Sequence, residues 1–248
     1  MTTSTQRIRA TAVCALALLL SAARFVSAQA VADNDVTPFH RDHHHPFEIG
    51  ALVQGGTGLT EERDDFKFFM AGVQVGKVVA STHGHSAFRS NFELGGEFFP
   101  FWQSYTPKFE RPFCTNPPGT PPVCTPLYTL GGTFSGMSIT PVIFRLNLAG
   151  TRHFSFWGQA AGGVLWTNHK YPAFGGPPYN SQNDGPNADA SVWNFTPQGG
   201  VGVHYFIHPR RSIDFGAKGI HISSASLGDR NPGVNASVQF SLGYTWWK

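Results

Sequence analysis

Two residues near the C-terminal end of the chain have the types and the spacing of a hydrolytic pair. His221 and Ser223 lie two positions apart in a segment that otherwise alternates between apolar and polar residues. In a β-strand this separation puts both side chains on one face, roughly 6.6 Å apart along the strand. An imidazole so placed can take the proton of a serine hydroxyl and activate it for attack on an acyl carbonyl. On spacing alone, however, two polar residues that mark a strand end are the favoured interpretation.

The segment around this pair is one of several with the same alternation. A period of two is typical of β-strands that have one apolar and one polar face. Such segments recur at residues 47–54, 69–76, 88–98, 142–148, 154–167, 194–207, 212–223 and 235–246. The pattern predicts eight strands, and no apolar run after the N-terminal region is long enough for a membrane-spanning helix.

The connections between the predicted strands alternate in length. Long loops are predicted at 57–65, 101–135, 167–191 and 224–234, whereas the turns at 149–152 and 208–211 are tight. Long loops at one rim and short turns at the other are typical of outer-membrane barrels, whose strands need ~9–11 residues to cross the bilayer. The sequence therefore predicts an all-β fold, an eight-stranded antiparallel up-and-down transmembrane β-barrel.

Alternation alone does not decide which face lies inside, because a soluble ligand-binding barrel turns its apolar face inward. Here the polar face is rich in glycine and carries both signs of charge, as expected of the narrow, ion-paired interior of a small membrane barrel. Aromatic residues also gather at the strand ends, as in an interfacial girdle. These features favour a membrane barrel with a plugged lumen. The charged residues of the polar face are Glu48, Glu93, Glu97, Asp214, Arg89, Arg145 and Lys218.

The N-terminus has the three parts of a secretory signal peptide. Arg7 and Arg9 precede an apolar run over 10–23, and small residues lead to a cleavage site after Ala28. A membrane anchor is disfavoured because the run is short and is followed at once by Arg24.

The chain has few charged residues, and its net positive charge lies in this targeting segment. Charged residues make up 13% of the chain, about half of the usual ~25%, which argues against disorder and helical bundles. Cleavage removes three of the 18 basic residues and none of the 15 acidic ones, which leaves a net charge of zero. The formal charge of +3 therefore gives no support to a nucleic-acid partner. We expect a signal peptide at 1–28, a His-rich lead-in at 29–46 and the barrel at 47–248.

Two short features could hold a cross-link or a metal. Cys114 and Cys124 flank a proline-rich stretch, and in an exported protein a disulfide is the expected state of such a pair. Zinc is not expected there, since the spacing is wrong and no His or Cys partner lies nearby. His40 and residues 43–45 form a His-rich tract that could bind a metal, but a solvated periplasmic lead-in is favoured.

The region around the hydrolytic pair resembles a known family. Residues 221–235, HISSASLGDRNPGVN, resemble the active-site signature of the lipid A 3-O-deacylases, and residues 136–147 resemble that family's fourth strand. The resemblance implies an acyl hydrolase of the bacterial outer membrane that needs no metal or organic cofactor. Ser223 would attack the ester carbonyl of an acyl chain on lipid A, and His221 would take and return the proton. The residues implied for the oxyanion or the substrate are Ser224, Ser226 and Asn231.

Three positions depart from the family pattern. The family has Asn after the nucleophile and Gly two residues further on, where this chain has Ser224 and Ser226. The third member of the family's triad is an acid, and the aligned residue here is Asn235, which can orient an imidazole but cannot stabilise an imidazolium by charge. Asp229 is the nearest carboxylate and could substitute if its loop folds over His221. Asn235 and Asp229 stay alternatives for the orienting residue, and the departures are compatible with reduced or altered activity.

The sequence therefore predicts an outer-membrane esterase that removes an acyl chain from lipid A. The alternative is a non-catalytic barrel with a structural or adhesive role, and a soluble ligand-binding barrel comes third. The membrane and its lipid A are the expected partners, whereas a homodimer is left open. The predicted outer loops at 101–135 and 167–191 are candidates for substrate selection by their position.

Overall fold

Strands form at each of the alternating segments. The computed structural model describes residues 37–40, 45–60, 63–83, 89–111, 114–115, 118–124, 128–148, 150–151, 153–171, 191–225, 227 and 235–248. Within these ranges a 3-10 turn, Pro38–His40, precedes the first strand, and no helix there is long and apolar enough to span a membrane. The strands are β1 (Phe47–Gly58), β2 (Lys67–His83), β3 (Ser90–Arg111), β4 (Cys114–Thr115), β5 (Val123–Cys124), β6 (Tyr128–Leu148), β7 (Phe154–Tyr171), β8 (Ser191–Phe195), β9 (Gln198–His208), β10 (Arg211–Ile222) and β11 (Asn235–Trp247).

Nine of these strands close into one antiparallel barrel. Their order is β6–β3–β2–β1–β11–β10–β9–β7, and β6 pairs again with β7. Strand β8 also pairs with β7 and is followed directly by β9. Strands β8 and β9 therefore share one position in the wall, and the barrel has eight strand positions. They are separated at Pro197, which has no N–H for the ladder, while reciprocal hydrogen bonds of 3.2 and 2.8 Å between Gly163 and Thr196 hold the joint on β7. The predicted eight-stranded antiparallel barrel is confirmed.

The apolar face of the strands lies outside. On β10, Ser212, Asp214 and Lys218 are buried, whereas Phe215 between them is 49% exposed. On β11 the exposed fraction of Phe240 reaches 64%. Because successive side chains point to opposite faces of a strand, the polar residues fill the lumen and the apolar ones form an outer belt. This is the arrangement of a membrane barrel and the reverse of the soluble barrel.

Ion pairs fill part of the lumen. Nη1 of Arg145 donates to Oε1 of Glu48 at 2.8 Å and to Oε1 of Glu93 at 3.1 Å. Nζ of Lys218 donates to Oε1 of Glu97 at 2.5 Å. All five side chains are buried, and buried charges are tolerated when they are paired. The lumen is therefore an ion-paired core, as the mixed charges of the polar face predicted.

Glycines make room for the largest side chain of this core. A Cβ atom at Gly202 would come within 2.2 Å of the Trp157 ring, and one at Gly216 within 2.8 Å. The same indole lies 5.1 Å, centroid to Cζ, from the Arg145 guanidinium. The glycine-rich polar face thus lets a bulky ring fit inside a narrow barrel.

Apolar clusters lie at the two ends of the lumen. Toward the long loops, rings from several strands pack around Trp102 and Tyr171, which are 2% and 0% exposed. At the short-turn end, Phe39 packs edge-on against Phe206 and Trp247 with centroids 5.7 and 5.1 Å apart. Phe39 lies in the predicted lead-in at 29–46 and is only 2% exposed. His45 of the same lead-in is exposed, and residues 41–44 lie outside the described ranges.

The third and fourth barrel strands are longer than predicted. Residues 101–135 were expected to form a loop, but β3 runs to Arg111 and β6 begins at Tyr128. Pro107 and Gly131 lie in a bulge of this ladder, where the register shifts between Thr106 and Phe109. Gly131 takes a φ of +78° opposite Pro107, whose carbonyl oxygen would be 1.9 Å from a Cβ atom at that position. A bulge with a left-handed glycine lets the ladder continue, and the hairpin extends as an arm.

Candidate active site

His221 and Ser223 lie at the end of β10 that leads into a long loop. Ile220 and Ile222, which alternate with them, are 7% and 3% exposed and lie in the lumen cluster. His221 and Ser223 are half-buried and therefore belong to the outer face, with the lipid-facing residues. Long loops of such barrels are extracellular, so the pair lies at the outer rim.

Backbone hydrogen bonds fix the pair to the neighbouring strands. The amide of His221 donates to the carbonyl of Pro197 at 3.0 Å. Ser223 and Phe195 exchange two bonds, 3.0 Å from the Ser223 amide and 2.6 Å from the Phe195 amide. On the other side His221 is opposite Ala236 of β11. Two ladders therefore hold the segment, and the ladder on the β8–β9 side continues past the last residue of β10.

The ring of His221 has a shielded nitrogen. Nδ1 is closed off from solvent and has no hydrogen-bond partner within the described part of the chain. A catalytic histidine needs a partner on the nitrogen that does not face the nucleophile, because that bond sets its tautomer and orientation. The nitrogen that an orienting group would have to contact is therefore unpaired among the described residues.

A strained residue follows the serine. Ala225 has a φ of +46°, a left-handed conformation that costs a non-glycine residue roughly 1–2 kcal/mol. Its amide N–H donates to Oγ of Ser223 at 3.2 Å, and the amide of Leu227 donates to the Ser224 carbonyl at 2.9 Å, which closes a turn. Strain of this kind is common at functional sites. An amide just after Ser223 was expected from the family resemblance, but an alanine gives no sequence signal for the left-handed turn that presents this one.

The other predicted site residues are not all brought to the pair. Ser224 is 1% exposed, so its hydroxyl is enclosed rather than on the outer face with Ser223. Asn235 begins β11, where its backbone is opposite Ile222. Ser226, Asp229 and Asn231 lie outside the described residues.

A patch of small residues lies on the outer face beside the pair, and we call it the small-residue depression. It consists of Ala160, Gly162, Gly199 and Gly219, on three adjacent wall positions. Gly219 is opposite Gly199, which is opposite Ala160. A Cβ atom at Gly219 would meet no atom closer than 3.9 Å, and one at Gly162 none within 4 Å. These glycines therefore border open space on the membrane side.

Bulky side chains bound the small-residue depression. Phe144 is opposite Ala160 on the next strand and is 51% exposed. Phe195, across from Ser223, is 41% exposed, and Phe215 is 49% exposed. The depression is thus a shallow interruption of the apolar belt that begins two residues from His221.

The two cysteines lie at the tip of the β3–β6 arm. Cys114 of β4 and Cys124 of β5 are paired in the ladder, and their sulfur atoms are bonded. The disulfide therefore closes the short hairpin at the end of the arm.

The closed antiparallel barrel, its outward apolar belt and its plugged lumen define an outer-membrane β-barrel. Residues 126–245 match the family model described as Lipid A 3-O-deacylase (PagL). This match includes His221 and Ser223 and confirms the resemblance that the sequence predicted.

Three solved structures are similar to the chain at low sequence identity. The outer membrane enzyme PagL is 15% identical, with 78% of this chain and 97% of that chain covered at a TM-score of 0.42. OprG from Pseudomonas aeruginosa is 8% identical, with 84% and 97% covered at 0.38. Ail of Yersinia pestis is 14% identical, with 82% and 98% covered at 0.39. No curated protein matches the chain.

Proposed function

We propose that the protein is an outer-membrane hydrolase that removes an ester-linked acyl chain from lipid A. The observation that carries the proposal is the position of His221 and Ser223, which lie on the lipid-facing surface at the outer rim. Polar side chains there contact the outer leaflet, where lipid A presents its acyl esters. The match of residues 126–245 to the deacylase family supports the same reaction.

The proposed reaction follows the serine hydrolase sequence. Oγ of Ser223 attacks the ester carbonyl while His221 takes its proton, and the tetrahedral intermediate expels the sugar oxygen, which His221 protonates. Water then attacks the acyl-serine with His221 as base, which releases a fatty acid and restores the hydroxyl. The amide of Ala225, already directed at Ser223, is the donor that we assign to the oxyanion.

The small-residue depression gives the acyl chain a place on the barrel. A chain whose carbonyl is at Ser223 reaches Gly219 and Gly199 directly below His221 on the outer face. Because these glycines border open space, the methylene groups can lie closer to the sheet than lipids elsewhere on the belt. The bound chain is then held by contact on one side and remains in the membrane on the other.

Asp229 and Asn235 are the two candidates for the residue that orients the His221 ring. The register gives the position opposite His221 to Ala236 and places Asn235 opposite Ile222. We therefore propose Asp229, in the loop between β10 and β11, as the partner of Nδ1.

The test is the mass spectrum of lipid A from cells that express the protein. Wild type is expected to yield a species lighter by one acyl chain, and Ser223→Ala is expected to yield none. Ser241→Ala, which removes a hydroxyl from the lumen, is the matched control and keeps activity. A heat-modifiable gel shift verifies that each variant is folded. Identical spectra for wild type and Ser223→Ala would refute the enzyme and favour a non-catalytic structural or adhesive barrel.

A further inference from the structure

A groove lies at the opposite rim of the barrel, far along the strands from His221 and Ser223. It has a volume of about 470 Å³, and we call it the periplasmic groove. It lies where the first and last strands meet the turn between β9 and β10. Its outward-facing lining residues are Phe47, Ile49, Arg210, Arg211, Trp246 and Lys248.

The backbone holds these side chains together. The amide of Phe47 donates to the Lys248 carbonyl at 2.9 Å, and the amide of Trp247 donates to the Arg210 carbonyl at 2.9 Å. Trp246 is opposite Ile49 on one side and Arg211 on the other. The groove is therefore built on two paired ladders, with an apolar wall beside the cations.

The described residues that line the groove carry charge of one sign. They supply three side-chain cations and no side-chain carboxylate. Glu48, the nearest acid on β1, is 1% exposed and pairs with Arg145 inside the lumen. Among the described residues, none of the ion pairs includes Arg210, Arg211 or Lys248. A main-chain carboxylate at Lys248 would offset one charge and leave the group positive.

The apolar wall of the groove is open to the membrane. Phe47, Ile49 and Trp246 are 42%, 49% and 47% exposed. Because the short turns of such barrels are periplasmic, the wall contacts the inner leaflet and the cations lie at its headgroup level. A ligand that contacts both the cations and the apolar wall needs an anionic headgroup joined to acyl chains.

We propose that the periplasmic groove binds an anionic phospholipid of the inner leaflet. The phosphodiester lies between Arg210, Arg211 and Lys248, where guanidinium groups donate to phosphate oxygens. The acyl chains lie against Ile49 and Trp246. A zwitterionic phospholipid brings its own cation to the site and binds more weakly, and inorganic phosphate leaves the apolar wall uncovered. The site is independent of the proposed hydrolase reaction.

Native mass spectrometry of the full chain, released from micelles doped with one phospholipid, tests the proposal. Phosphatidylglycerol and phosphatidylethanolamine with identical acyl chains are compared. A cation near a membrane surface contributes a factor of roughly five in affinity toward anionic lipid, so we expect wild type to prefer phosphatidylglycerol at least about fivefold. The variant R210Q/R211Q/K248Q is expected to lose most of that preference.

A control variant separates this site from general charge attraction. K67Q/K108Q/K170Q removes the same charge from lysines that are exposed at the long-loop end, and it is expected to keep the preference. Excess inorganic phosphate is expected to leave the lipid bound. Equal retention of the two lipids by wild type, equal loss in both triple variants, or displacement by phosphate would each overturn the proposal. Ser223→Ala is expected to bind phosphatidylglycerol as wild type does, so the outcome does not depend on catalysis.

Discussion

The imidazole rings of His221 and His204 differ in their location and in their hydrogen-bond partners. Nδ1 of His204 donates to Oδ1 of Asp214 at 2.7 Å, inside the lumen, and its ring lies 5.2 Å, centroid to centroid, from Trp247. The contacts of His204 make it part of the core. His221 lies on the outer face, and its Nδ1 has no partner among the described residues. His204 is therefore a residue of the core, whereas His221 lies on the face where its proposed role requires it to be.

Asp229→Ala is expected to lower the deacylation rate by roughly a hundredfold or more, because loss of the orienting group leaves the imidazole in the wrong tautomer. Asn235→Ala is expected to have the smaller effect, since the register places Ala236 opposite His221. The rates are measured with purified protein and lipid A in mixed micelles. Asp65→Ala, which removes an exposed carboxylate at another long loop, serves as control. A larger loss in Asn235→Ala than in Asp229→Ala would reverse the assignment.

At the scale of the strand, β10 serves two environments at once. Its inward residues include Asp214 and Lys218, which are bound in the ion-paired lumen, and its outward residues end in His221 and the serine beyond. The period of two that revealed the strand also predicted that His221 and Ser223 share a face. The turn that follows was not predictable in this way, because the left-handed φ of Ala225 depends on the loop and not on the local pattern.

Gly219→Leu is expected to slow removal of a long acyl chain by about tenfold or more, since a branched side chain would occupy the space that the methylene groups need. Esters of short acids, which do not reach Gly219, are expected to react as with wild type. The measurement compares synthetic glucosamine esters that differ only in acyl length. Ala51→Leu, at an exposed position on β1, is the matched control on the outer belt. Equal slowing of short and long esters would show that the chain lies elsewhere.

The whole molecule is organised around a core that contains charges. The eight strand positions of the barrel and its polar interior could be predicted from the sequence, because alternation and mixed charges on one face are local patterns. The long arm and the buried Phe39 did not follow. Pro107 and Gly131 are ordinary loop signals, and only the neighbouring strand turns them into a bulge. Burial of Phe39 requires the closed barrel mouth, which no local pattern displays.

Arg145→Met is expected to reduce the free energy of unfolding by about 3–5 kcal/mol, because Glu48 and Glu93 would be left buried without their cation. Urea unfolding in lipid vesicles, followed by tryptophan fluorescence, measures the loss. Lys67→Met removes an exposed cation and is expected to change stability by less than about 1 kcal/mol. A loss in Arg145→Met no greater than this control would show that the interior tolerates unpaired acids.

Phe39 joins the segment before the first strand to the last strand of the barrel. It is attached to the segment before β1, yet its ring packs against Trp247 of the last strand and Phe206 of β9. The first and last strands meet only when the wall is complete, so this ring is buried only after the final strand has paired. The cysteine of a Phe39→Cys variant would therefore react with a thiol reagent during assembly and become protected when the barrel closes. Its protection would report when the last step of insertion takes place.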